Sequence, residues 1–192
     1  RPGRIARHCG VESETMRIAT PPFPPEKGRN RPTRPPPRMP PTLQALLLFV
    51  HLVGVVVWVG GMVFAHFVLR PTAVELLPPP GRLPFMTAAL NRFFRLVAVA
   101  VPALLGSGLA LLLQVGFARA PIAWHLMLGS GLLMAGVFAW IYTGLHPRLR
   151  QAVSAADWPA AAAALERIRQ WVGFNLGLGL LTIAVGVSTR AG

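Results

Sequence analysis

The chain has 192 residues, 53% hydrophobic and 13% charged, with a mean hydropathy of +0.52. That is the composition of a membrane protein. The net charge of +13 does not mark a nucleic-acid binder. Residues 1–38 carry nine Lys/Arg against three acids and residues 39–192 ten Arg against three, and most of those ten flank apolar runs, as topology signals do. The one cysteine, Cys9, excludes a disulfide framework and a cysteine-based metal site.

Residues 1–41 read as a disordered Pro/Arg-rich tail, dense in proline and without apolar periodicity. The chain opens on Arg1, and Met39 and Met16 are candidate starts. Much of 1–38 therefore reads as upstream or non-native sequence. The tail does not resemble a signal peptide, because the first apolar run is too long and no small-residue cleavage site follows it.

The membrane domain is expected over 42–190. Its first span, about 43–69, holds no Asp, Glu, Lys or Arg and only Gln44, His51 and His66 as strongly polar side chains. It exceeds the ~20 apolar residues that cross a bilayer core. With His51 at zero and about 100° per residue, Trp58 falls near −20°, Met62 near +20° and His66 near +60°. His51, Trp58 and Met62 thus share one stripe, with His66 at its edge. Gly60 and Gly61 are expected to let a neighbouring backbone come close.

The first span is expected to end at Arg70-Pro71, with Pro78-Pro79-Pro80-Gly81 as a firm break. A second helix then begins near Leu83, with Pro84 in its first turn and its span at about 96–115. Pro102 can kink it, and Gly106-Ser107-Gly108 forms a close-packing patch. The third span, about 122–145, holds His125 near its start and His146 just past its end, and Pro147 is expected to stop it. Residues 151–157 read as a connection, after which Asp157 and Pro159 cap the last helix. Its fourth span, about 171–187, carries Asn175 as an interior polar group.

The expected fold is all-α, an integral membrane four-helix bundle running up-down-up-down. With the N-terminus on side A, side B receives Arg70, Arg82, Arg92, Arg95, Arg148, Arg150, Arg167 and Arg169, while side A holds Arg119 and Arg190. Basic residues mark the cytoplasm, so side B is placed there and both termini on the periplasmic side.

Spans one and three run in the same direction, which sets His51 and His125 toward side A and His66 and His146 toward side B. A polar ring in lipid is tolerated when it pairs, binds something or lines a cavity. Imidazole and thioether both bind copper, which makes His51, His125, Met62 and His66 the candidate metal ligands. Paired imidazoles also serve as axial haem ligands, so His51 and His125 are the candidate haem b contacts. The expectation under both is that these two rings face each other inside the bundle.

Plainer readings stay open. His66 and His146 lie near helix ends, where an imidazole can reach the headgroups. Met62 and Met127 can be core filler. Trp58 can pack as well as cover a cofactor, and Asn175 can bridge helices. A structural bundle whose histidines only pack is thus a further alternative. No nucleophile elbow, HExxH, Walker loop or intramembrane carboxylate pair occurs, so nothing supports a hydrolase and an enzyme is not the favoured reading.

The segment HLVGVVVWVGGMVFAHFVLRP, His51 to Pro71, resembles the first-helix signature of the CopD family of bacterial copper-resistance membrane proteins. The resemblance extends through Arg82-Leu83-Pro84, Arg92-Phe93-Phe94 and the third span. It implies an inner-membrane protein in copper ion transport, homeostasis or resistance, working beside a periplasmic copper-binding partner; apart from the resemblance, a homo-oligomer is left open. The same pattern is similar to the first helix of HemJ-type protoporphyrinogen oxidases, in which the histidine matching His51 binds haem. Those enzymes also use a membrane lysine, and residues 39–192 contain none.

Overall fold

The computed structural model describes residues 39–188. The tail over 1–38 and Arg190 lie outside the described residues, as do the expectations placed on them. Four helices are long and apolar enough to cross a membrane: α1 (Pro41–Leu76), α2 (Pro79–Val115), α3 (Ile122–Ser154) and α4 (Trp158–Ser188). No strand occurs among the described residues. Short connections force consecutive helices to run antiparallel.

α1 and α3 outrun their expected ends, and proline is the main reason; α2 starts four residues before Leu83, and α4 is the helix expected after Asp157. Pro71 and Pro147 were expected to end helices, because proline lacks an N–H and its ring crowds the carbonyl four residues back. In both places the chain opens into a wider π-helical stretch and continues. Ala65–Leu69 precedes Pro71, and Ile141–Leu145 precedes Pro147, each ending two residues before the ring. A π turn shifts the hydrogen bonds from i−4 to i−5, which relieves the clash. A third such stretch, Val56–Gly60, precedes Gly61. Pro84 and Pro102 both lie inside α2, so Pro84 is not in the first turn.

True ends come where several signals coincide. α1 stops as Leu77 turns extended, and α2 restarts with Pro79 and Pro80 at its first positions. Gly116, at φ 91°, closes α2 in a backbone region that suits glycine. Between α3 and α4 the turn is only 155–157, and the Asp157 carboxylate accepts the Ala160 N–H at 3.0 Å.

α1 packs on α2 and α4, α3 packs on the same two, and α2 and α4 also touch. One core cluster, with Leu90, Phe94, Ile141, Leu149, Ala161 and Ile168, joins α2, α3 and α4 toward side B. A second, with Trp58, Met62, Val97, Leu104, Met134 and Leu176, draws on all four helices. Outward faces carry exposed Phe49, Leu52, Val56, Leu113, Leu132 and Leu181. In water such a surface would be a liability; in a bilayer it is the surface that meets the acyl chains. The chain is a multi-pass membrane protein.

Candidate functional site

His51 lies ten residues into α1, against α2. Its Nδ1 is 3.0 Å from the carbonyl oxygen of Leu104 and 3.4 Å from Ser107 Oγ. A carbonyl only accepts, so Nδ1 carries the proton and donates to Leu104. The Ser107 hydroxyl donates to the Ala103 carbonyl at 2.7 Å and so offers its oxygen as a weaker second acceptor. The other ring nitrogen, Nε2, therefore keeps its lone pair.

Close helix approach makes this possible. A Cβ on Gly108 would stand 2.9 Å from His51 Cε1, and one on Gly54 would stand 2.8 Å from Leu104 Cβ. Glycine on α2 faces the imidazole while glycine on α1 faces the leucine. Of the expected Gly106-Ser107-Gly108 packing patch, Ser107 and Gly108 meet His51, while Gly106 has nothing within 4 Å of a Cβ there. Leu104, Ser107 and Gly108 are the residues that sequence reasoning failed to assign to His51.

The structure does not join His51 to His125. The His125 Nδ1 donates to the Pro121 carbonyl at 3.2 Å, within the first turn of α3, and its ring meets Phe117 edge-on at 4.6 Å. Each ring is held by a different partner, and no hydrogen bond or ring contact joins the two among the described residues. No group of three or more His, Cys, Asp or Glu that could hold a metal occurs among the described residues.

Met62 is 2% exposed and sits in the central core beside Trp58, which is 3% exposed. Eleven residues separate Met62 from His51, about 16 Å of helix rise, so the two cannot share one ion. His66 occupies a cleft walled by Arg70, Arg82 and Arg169, whose charge repels a cation. Gly61 admits the Phe93 ring, but Gly60 is exposed with nothing within 4 Å of a Cβ there. The close approach expected at both glycines is made at Gly61 alone.

His146 departs most from its expected place. It does not reach for headgroups: it is 3% exposed, and its Nε2 has no hydrogen-bond partner. Its ring stacks on Tyr142 at 6.3 Å and meets Phe94 edge-on at 5.2 Å. The π turn at Ile141–Leu145 resets the helix register just before it, which a uniform helical wheel cannot anticipate. Asn175 is 2% exposed and donates from Nδ2 to the Met134 carbonyl at 3.3 Å, tying α4 to α3. The Thr182 and Ser130 hydroxyls, 2.8 Å apart, add a second tie.

A family model described as Copper resistance protein D, CopD, matches residues 87–189, more than half of the chain. The matched stretch contains Leu104, Ser107, Gly108, His125, His146 and Asn175 and begins after α1. No curated protein matches the chain, and no solved structure does.

Proposed function

This chain belongs to the CopD family of copper-resistance membrane proteins, and from that premise we propose that it moves or buffers copper ions in the bacterial inner membrane, with His51 as the principal contact. The observation that carries this reading is the bond from His51 Nδ1 to the Leu104 carbonyl. Metal-binding histidines commonly donate the second ring N–H to a carbonyl or carboxylate, which fixes the tautomer and aims the free lone pair. His51 is prepared in that way, and Gly108 holds the ring in place.

A single imidazole with no carboxylate or thiolate beside it binds an ion briefly rather than storing it. That suits passage better than storage. His125, near the side-A end of α3, is the second contact in this reading, taking copper from a periplasmic copper-binding partner. Side B, with its eight arginines, faces the cytoplasm.

The test compares copper binding by the purified protein, titrated with the ion, and copper tolerance of cells for wild type and His51→Ala. Loss of both is expected for the variant. Unchanged binding and tolerance would remove His51 from the function. The haem b alternative needs two imidazoles across one porphyrin. No contact joins His51 to His125 among the described residues, and under the copper reading the purified protein is expected to lack a Soret band.

A further inference from the structure

The proposed copper function does not use the cleft around His66. It opens toward side B between α1, α2 and α4, with about 200 Å³ of free space, several times the ~30 Å³ share of one water. Its walls divide by chemistry. Arg70, Arg82 and Arg169 supply three guanidiniums against the one carboxylate of Glu166, while Leu83, Met86, Leu90, Ile168 and Val172 supply an apolar floor.

The carboxylate is already engaged. Arg169 Nε donates to Glu166 Oε2 at 2.8 Å, and a second guanidinium nitrogen of Arg169 donates to Oε1. Arg70 and Arg82 form no ion pair among the described residues. Both are half-buried in the cleft wall, whereas Arg92 and Arg95 on the neighbouring stretch of α2 are exposed. Two half-buried guanidiniums, with only the Glu166 carboxylate that Arg169 already holds as a nearby counter-charge, above an apolar floor at the membrane surface, are complementary to one kind of ligand. It has a phosphate at one end and hydrocarbon at the other.

We propose that this cleft is a binding site for an anionic phospholipid. The headgroup phosphate takes Arg70 and Arg82, which suit planar bidentate recognition of phosphate. The start of an acyl chain lies along Met86, Leu90 and Val172. The ligand would clasp the ends of α1 and α2 to α4 at the side-B surface. The proposal stands apart from the copper reading and uses none of its residues except His66, which is a wall here.

The full chain, purified in a neutral detergent, is titrated with short-chain dioctanoyl phosphatidylglycerol, with the matching phosphatidylcholine and with inorganic phosphate, reading the rise in Tm. Phosphatidylglycerol is expected to raise Tm saturably, with the other two ineffective at the same concentration. Arg70→Gln/Arg82→Gln should bind phosphatidylglycerol roughly tenfold or more weakly. Arg92→Gln/Arg95→Gln, which removes the same charge from exposed positions, should bind as wild type does. Should the first pair fold poorly, Arg82→Gln alone is expected to show a smaller loss in the same direction. An equal response to inorganic phosphate would make this a free-anion site. An equal response to phosphatidylcholine would make it general lipid contact. Undiminished binding in Arg82→Gln and the Arg70/Arg82 variant would place the lipid elsewhere. Any of the three overturns the proposal.

Discussion

An imidazole inside an apolar bundle must place two ring nitrogens, and His51 and His146 do so differently. His51 donates its Nδ1–H to the Leu104 carbonyl, and Nε2 keeps its lone pair. His146 is packed between Phe94 and Tyr142 with Nε2 unpartnered. A buried polar atom without a partner costs about 1–3 kcal/mol. His146→Phe should therefore leave thermal stability unchanged or raise it, by about 1 kcal/mol if the ring fits. A clear fall in Tm would show that the nitrogen is used. At Gly108 two effects oppose each other. Alanine gains about 1 kcal/mol of helix propensity over glycine, but its methyl would lie 2.9 Å from the His51 ring, and overpacking costs about 1–3 kcal/mol. Gly108→Ala is expected to lower Tm and weaken copper binding, while Gly106→Ala, with nothing within 4 Å, is expected to raise Tm. Equal Tm changes at the two positions would mean that the imidazole does not press on Gly108.

At the scale of the element, proline widens these helices without ending them. Pro147→Ala restores an N–H that can bond the Thr143 carbonyl, so the π turn at Ile141–Leu145 loses its cause. Amide exchange over 141–147 should slow, and the Tyr142–His146 stacking should be lost. Unchanged exchange would mean that packing, and not Pro147, sets the wide turn. The four spans were legible because long uncharged apolar runs have few alternatives, and Asp157 was legible as a cap because its side chain acts within its own turn. A single proline is not a decisive helix end: Pro71 and Pro147 are both passed by a continuing helix. The neighbour of His51 was not legible, because a helical wheel orders residues around one axis and does not say which helix lies beside each face. The wheel also assumes a constant turn. Two π stretches in α1 break that assumption between His51 and Arg70, and one in α3 does so just before His146.

The whole molecule is asymmetric in charge across its two ends, with eight arginines of the described chain toward side B and Arg119 toward side A. In a Cys9→Ser background, Ala118→Cys should react with an impermeant maleimide in intact cells, and Ala155→Cys only after the membrane is opened. The reverse pattern would invert the proposed orientation. The described bundle also has a filled middle. Trp58, Met62, Met134 and Leu176 occupy it, and Trp58 meets Phe138 at 6.4 Å between α1 and α3. With these side chains buried there, a travelling ion would have to work along the α1–α2 seam where His51 waits. Under the copper reading, flux would then depend on helices parting and re-closing with each ion. It should saturate at low substrate and rise steeply with temperature, as a carrier's does, and a planar bilayer holding the protein should show no resolvable single-channel current.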